Sequence, residues 1–308
     1  MKNMYFVVNL LSGKAVMNKK LGNIIDSFVK DGFKVTVHTT QNGDDASEQA
    51  AYACENGYDV LVAAGGDGTL SHCLHGVMGC ENRITIGYIP AGTTNDFAKG
   101  IGIPSDQLRA AAIISKGETA LCDVGGFNDT YFSYVSAFGA FTNIPYETPQ
   151  RIKNMFGHAA YIADGATQLT SIIKAKPLRI EYEDIVIEGE FVYGMITNTA
   201  SVAGMISMNN FLLDDGVFEV TLIRKPRNPA EIGMTLLALA KNDMTDKNIV
   251  FFRTDAVTIT CLSDEPFTWT KDGEYGGMEK VNHLCCHKKA VRFIVSGKER
   301  LPLEMNRK

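Results

Sequence analysis

No stretch of this chain stays apolar long enough to cross a bilayer. The longest largely apolar runs, Ile232–Ala240 and Met4–Leu11, fall well short of the roughly 20 residues a spanning helix needs. The start of the chain has Lys2 and a short apolar run, without the long apolar core or Ala-x-Ala site of a secretory signal, so a cytoplasmic location is expected. The seven cysteines, Cys54, Cys73, Cys80, Cys122, Cys261, Cys285 and Cys286, form no Cys-x-x-Cys pair. An odd, scattered set argues against a disulfide framework and for a reducing compartment. There is no surplus of positive charge either: a net charge of −5 gives no general attraction to nucleic acid. The one basic concentration, between Lys288 and Lys308, reads first as a solvated tail. Internal repeats and low-complexity tracts are also missing. What remains is an ordinary globular composition over 308 residues, enough for about two domains.

The first 120 residues alternate strand and helix. Met4–Asn9 reads as a buried strand, and Leu21, Ile24, Ile25, Phe28 and Val29 then trace one apolar stripe of a helix stopped at Gly32. Phe33–His38 is a strand. Asp45 with Glu48 resembles a capping box opening an Ala-rich helix that ends before Gly57. Asp59–Ala64 is a buried strand, and Leu70, Cys73, Leu74, Val77 and Met78 form another helical stripe. Ile84–Ile89 is a fourth strand, and Ser105 opens a helix stopped at Gly117. Such alternation predicts right-handed crossovers and a parallel sheet covered on both faces. Ligands of such sheets sit beyond the strands' carboxyl ends, so the loops after Asn9, His38, Ala64 and Ile89 should share one rim.

Past residue 123 the pattern changes. Strand-like runs occur at Tyr131–Ala137, Leu178–Tyr182, Ile185–Glu188, Val192–Thr197, Phe218–Ile223, Ala256–Cys261 and Ala290–Val295, with helical segments around Pro149–Lys174 and Pro229–Lys241. This predicts an antiparallel second domain, a β-sandwich.

Three loops on the expected rim carry the chemistry. Gly65-Gly66-Asp67-Gly68-Thr69 follows the third strand and opens a helix, whose free N–H groups favour a phosphate. Asp67 would repel that phosphate unless a cation intervenes, which points to Mg²⁺. A plain tight turn would need only two of these five residues. The spacing is neither a G-x-G-x-x-G fingerprint nor a Walker A loop. Pro90–Ala98 (PAGTTNDFA) follows the fourth strand; by itself it reads as a loop with Asn95 or Asp96 capping a helix, but beside Asp67 it reads as part of a phosphate and metal site. Asn9-Leu10-Leu11-Ser12-Gly13-Lys14 follows the first strand and is equally a turn or a nucleotide loop.

In this order, with Asp272-Gly273-Glu274 late in the chain, the segments resemble the catalytic domain of the diacylglycerol kinase family, especially its soluble bacterial lipid kinases. The resemblance spans about residues 4 to 295. The family pattern is Asn-Pro-x-Ser-Gly, Gly-Gly-Asp-Gly-Thr, Pro-x-Gly-Thr-x-Asn-Asp-Phe-Ala and a late Asp-Gly-Glu. Only the second of these is shared with NAD kinases and phosphofructokinase-like folds. Leu10 departs from it, standing where the family usually has proline, which loosens the loop.

The resemblance implies a nucleotide-binding α/β domain at 1–123, with 290–308 returning to it, and a β-rich lipid-substrate domain at 124–289. It implies ATP contacts at Asn9–Gly13, Thr40, Gly65, Gly66–His72, Gly92 and Thr93. It also implies an acidic network of Asp67, Asp96, Asp123 and Asp272 around a catalytic Mg²⁺, with Asp272 or Glu274 as the base. A second, structural Mg²⁺ would be held by the Asp215 carboxylate and the Leu212 and Val217 carbonyls, where a β-turn is the plainer reading. The expected activity is ATP-dependent phosphorylation of a diacylglycerol-like hydroxyl. A sphingoid base or phosphatidylglycerol is an alternative acceptor, and an NAD kinase-like reaction an alternative activity. A peripheral position at the membrane surface would go with the lipid substrate. Arg151, Lys153, Lys174, Lys176 and Arg179 could face anionic lipid, though an ordinary helix with a core stripe explains them more simply. A homodimer stays open. His283-Leu284-Cys285-Cys286-His287 lacks zinc-type spacing, since only three of its potential ligands share a strand face.

Overall fold

The computed structural model describes residues 1–13, 16–139, 174–199, 201–202, 206–207, 212–298 and 301–306. The helix expected over Pro149–Lys174, with Arg151 and Lys153, lies outside the described residues except at Lys174.

The first part follows the sequence closely. Strands β1 (Lys2–Val8), β2 (Phe33–Thr39), β3 (Val60–Gly65) and β4 (Thr85–Pro90) are parallel, in the order β2-β1-β3-β4. Between them run α1 (Val16–Lys30), α2 (Gly43–Glu55) and α3 (Asp67–Met78), followed by the short α4 (Asp96–Gly100) and α5 (Gln107–Lys116). The chain moves outward from β1 to β2 and then back past β1 to β3. With right-handed crossovers, that reversal places helices on both faces, α1 beside α5 and α2 beside α3. The sheet is therefore buried on both sides, which is why β1 and β3 read as continuous apolar runs. Gly32, Gly57 and Gly117 end helices at φ of 89°, 70° and 71°, a left-handed conformation that side chains resist.

Two helix starts differ from expectation. Asn42, not Asp45, caps α2, its side chain accepting the Asp45 amide at 2.8 Å. The Asp45 carboxylate instead meets His38 Nε2 at 2.9 Å and the Gln41 amide at 2.8 Å. Likewise Asp106, rather than Ser105, caps α5 by accepting the Arg109 amide. In both cases the residue three positions before the donor reaches the helix's unpaired N–H groups.

The second part is antiparallel: β5 (Thr119–Phe127), β6 (Thr130–Phe132), β7 (Val135–Gly139), β8 (Lys176–Tyr182), β9 (Ile185–Thr197), the short pair β10 (Ser201–Val202) and β11 (Ile206–Ser207), β12 (Phe218–Arg224), α6 (Pro229–Ala240), β13 (Ile249–Thr254), β14 (Ala256–Cys261), β15 (Trp269–Lys271), β16 (Glu274–Gly277) and β17 (Val281–Ile294). Its core is aromatic. The Trp269 ring sits 4.6 Å from Phe138 and 5.0 Å from Phe127, among Phe132, Phe191 and Phe218. β17 belongs to both parts. β14 pairs with its first residues, Val281–Cys285, β5 pairs along it from Leu284 to Ile294 with an irregularity between His287 and Val291, and Phe293 meets Ile86 of β4 in parallel register. Val291, Phe293, Ile294, Leu301 and Leu303 join the core of the first part. The α/β-plus-β-rich architecture expected from the sequence is thus the one observed, with hydrogen bonding continuous from one part to the other.

One expected strand is broken. Tyr131–Ala137 is not continuous but splits into β6 and β7 at Ser133 and Tyr134. The amides of Ser133, Tyr134 and Val135 turn to the carboxylate of Asp272, 2.7 to 3.2 Å away, so they leave the ladder there.

Candidate active site

The carboxyl ends of the parallel strands are stitched into one rim. The Asn9 amide donates to Ala64 O, Thr40 to Val8 O and Ala91 to Gly65 O. Side chains continue the stitching: Asn9 Nδ2 reaches Thr69 Oγ1 at 3.2 Å. In the β4–α4 loop, Asn95 sits at φ 50°. Its carboxamide both accepts from the Gly92 amide and donates to the Gly92 carbonyl, which closes the loop on itself. This loop lies against the start of α3 so tightly that a Cβ on Gly92 would stand 2.6 Å from Gly66 Cα. Gly92 is therefore required by approach of backbone to backbone, whereas a Cβ on Gly66 would meet Gly92 Cα at an ordinary 3.4 Å.

A cavity of about 210 Å³ opens here, lined by Gly66, Asp67, Gly68, Gly92, Thr93, Thr94, Asp272 and Glu274. The last two residues come from the second part of the chain, so the cavity lies between the two halves. Asp272 and Gly273 form the two-residue hairpin between β15 and β16, both at positive φ (49° and 86°), as an Asp-Gly hairpin turn prefers. The turn sends its two carboxylates to different places. Asp272 is 2% exposed and accepts from the Ser133 amide and hydroxyl and from the Tyr134 and Val135 amides. The Glu274 side chain is 54% exposed, and its Oε2 lies 3.1 Å from His72 Nε2 on α3. Burial raises the Asp272 carboxyl above its ordinary range, against the pull of those amides. The hydrogen bond from His72 lowers Glu274 and, reciprocally, raises His72.

Asp67 opens α3 with one carboxylate oxygen accepting the Asp96 amide at 3.2 Å. The other, Oδ1, is buried without a hydrogen-bond partner. Burial, together with the nearby Asp272 and Asp96 charges, pushes the Asp67 carboxyl up to about 6. An orphaned, destabilised carboxylate at a helix N-terminus fits a divalent cation. Among the described residues no three His, Cys, Asp or Glu side chains converge to enclose an ion. The Asp96 carboxylate is paired with Lys99 at 2.8 Å.

The structure brings Asp67, Asp96, Asp272 and Glu274 together but places Asp123 elsewhere. Its carboxylate accepts the amides of Gly216 and Lys289 at 2.6 Å each, within the influence of Asp214 and Asp215. It thus ties the 212–217 loop to a kink in β17 where Lys289 has φ 51°. The donors for a second cation fit less well. Asp215 is already met by the Arg253 guanidinium, so an ion at Leu212, Asp215 and Val217 must compete with an internal cation. The adjacent Glu219, also paired with Arg253, still has one buried oxygen without a partner, and burial pushes its carboxyl up to about 7.

Sequence reasoning did not pair His72 with Glu274 or the Ser133–Val135 amides with Asp272. The separations, 202 and up to 139 residues, leave no local signal.

A phosphate-type turn on a doubly wound sheet, with an acidic rim faced by carboxylates from a second, β-rich half, is the arrangement of a phosphotransferase. The comparisons with known proteins agree. The diacylglycerol kinase catalytic domain family matches residues 3–127. A diacylglycerol kinase of Bacillus subtilis (strain 168) is 32% identical over 280 residues, 90% of this chain and 91% of the relative. One from Staphylococcus saprophyticus is 34% identical, covering 92% of each. In fold, a crystal structure of a diacylglycerol kinase from Bacillus anthracis str. Sterne superposes with a TM-score of 0.75 over 96% of this chain and 97% of the other, at 20% identity. The chain belongs to the diacylglycerol kinase family, which makes it a phosphotransferase of the lipid kinase class.

Proposed function

We propose that the protein transfers the γ-phosphoryl group of ATP to the hydroxyl of a diacylglycerol-like lipid presented at a membrane surface. The observation that carries this reading is one cavity shared by the Gly66–Gly68 turn, the Gly92–Thr94 loop and the Glu274 carboxylate. Phosphoryl transfer asks mainly for positioning and charge stabilisation, and these parts supply both. The first N–H groups of α3 and the closed Gly92 loop would receive phosphate oxygens, while Asn9, Ser12, Gly13 and Thr40 line the same rim for the rest of the nucleotide. Asp67, with Asp96 and Asp272 behind it, would hold Mg²⁺, whose charge offsets that of the phosphates. Asp272 fixes the hairpin: its oxygens are committed to three backbone amides and a hydroxyl, so it organises the cavity rather than exchanging a proton. Glu274 is reachable and is kept ionised by His72, so it is the group that takes the acceptor hydroxyl's proton.

In this reading residues 1–123 with 290–308 hold the nucleotide, and 124–289 meet the lipid. Two large hydrophobic cores support a division into two parts, with Val124, Tyr134, Val135, Ala137, Met195 and Leu213 packing onto the first core across the seam. Among the described residues no helix is long and apolar enough to cross a membrane. In this reading it is the lipid acceptor that calls for a cytoplasmic protein working peripherally on the bilayer.

The test is labelled ATP with mixed micelles of diacylglycerol, phosphatidylglycerol or a sphingoid base, or with NAD, read by chromatography. Labelled phosphatidate is expected with diacylglycerol. Label in NADP alone would replace the lipid reading with the soluble-substrate one.

A second measurement addresses the 212–217 loop. If Asp215 holds a structural cation in competition with Arg253, a chelator lowers the melting temperature of the wild type, and Asp215→Ala removes that response. An unchanged chelator response in the variant leaves the loop as a turn braced by Arg253.

A further inference from the structure

We propose that His72 is a positioning residue that holds the Glu274 carboxylate in place for proton transfer. This rests on the reading of Glu274 as the base.

Glu274 follows a two-residue hairpin on the edge strand β16, and its side chain is more than half exposed. A glutamate in that setting has three rotatable bonds and no reason to keep one orientation. Two contacts with α3 restrain it here. Oε2 meets His72 Nε2 at 3.1 Å. Oε1 lies over Gly68, so close that a Cβ there would stand 1.9 Å away. The carboxylate therefore lies along the first turn of α3, bridging the two halves of the chain beside the orphaned Asp67.

His72 is itself held. Its ring lies on the backbone of Gly43, the first residue of α2, where a Cβ would come within 2.4 Å of Nε2. Gly43 is set by the Asn42 cap of that helix. A chain of contacts thus runs from the α2 cap through the His72 ring to Glu274. With Nε2 donating to Oε2, the second oxygen stays available to the acceptor hydroxyl.

The test is steady-state kinetics on four variants of the full chain: His72→Ala, His72→Gln, Glu274→Gln and the double variant His72→Ala/Glu274→Gln. His72→Ala should lower kcat by about 10- to 100-fold, the usual result of losing alignment of a reacting group, with the KM for ATP little changed. His72→Gln, whose amide N–H can reach the same oxygen, should recover most of that loss. In the Glu274→Gln background, His72→Ala should have no further effect, since a residue acting through another is silent once that residue is gone. A wild-type kcat in His72→Ala, a rise in the KM for ATP in place of a fall in kcat, or additive losses in the double variant would each overturn the proposal. Failure of the underlying reading looks different: Glu274→Gln would then turn over lipid at the wild-type rate.

Discussion

Glu274→Gln should lower kcat by roughly 10²–10⁴-fold, the range a general base contributes, with ATP affinity little changed. A primary alcohol is a poor nucleophile, and its proton must leave as the P–O bond forms. Glutamine keeps the size and the position beside His72 but does not accept that proton usefully. The neighbouring carboxylate provides the contrast. Asp272→Asn puts an N–H₂ group among the amides of Ser133, Tyr134 and Val135, which are all donors. That variant should lose on the order of 1–3 kcal/mol of stability, as a buried network left with a mismatched donor does. Activity would fall with it, through the hairpin. Chemical denaturation and kinetics on the two variants separate the roles: Glu274→Gln folds as the wild type and is slow, and Asp272→Asn melts early. If Glu274→Gln turned over lipid normally, the base would have to be sought elsewhere on the rim.

Asp67→Asn should abolish lipid phosphorylation and at the same time stabilise the metal-free protein at neutral pH. The sign follows from the carboxyl's position at about 6 in the fold against its ordinary 3.8. Below about 3.8 Asp67 is protonated whether folded or unfolded and contributes nothing. Between the two values the folded chain retains a proton that the unfolded chain has released, so stability falls as pH rises. Above about 6 the penalty is fully present, about 3 kcal/mol by linkage. Asparagine removes the charge and with it the penalty, so metal-free Tm at pH 7.5 should rise by several degrees. Added Mg²⁺ should raise the Tm of the wild type and leave that of the variant unmoved. A variant that melts lower than the wild type in chelator, or that still responds to Mg²⁺, would remove Asp67 from the metal site. The trade between stability and activity expected here is common where like charges are gathered for function.

What could be read from the residues alone was local. The alternation of apolar runs and helical stripes over Met4–Lys116, the three loops after β1, β3 and β4, and the turn at Asp272-Gly273 are contiguous patterns. Each follows from the 2.0 and 3.6 periodicities or from the few residues that a turn or a helix start accepts. Together with their order, these patterns determined the fold class, the family and the rim that the three loops share. Tertiary structure decided how distant pieces meet. The strand order β2-β1-β3-β4, the break between β6 and β7, the placing of Asp123 at the 212–217 loop, and the different surroundings of Asp272 and Glu274 all depend on partners tens to two hundred residues away. Periodicity says which face of an element is apolar, but not which other element covers it. Two carboxylates two residues apart looked interchangeable until the hairpin turned one into a bed of amides and the other toward His72.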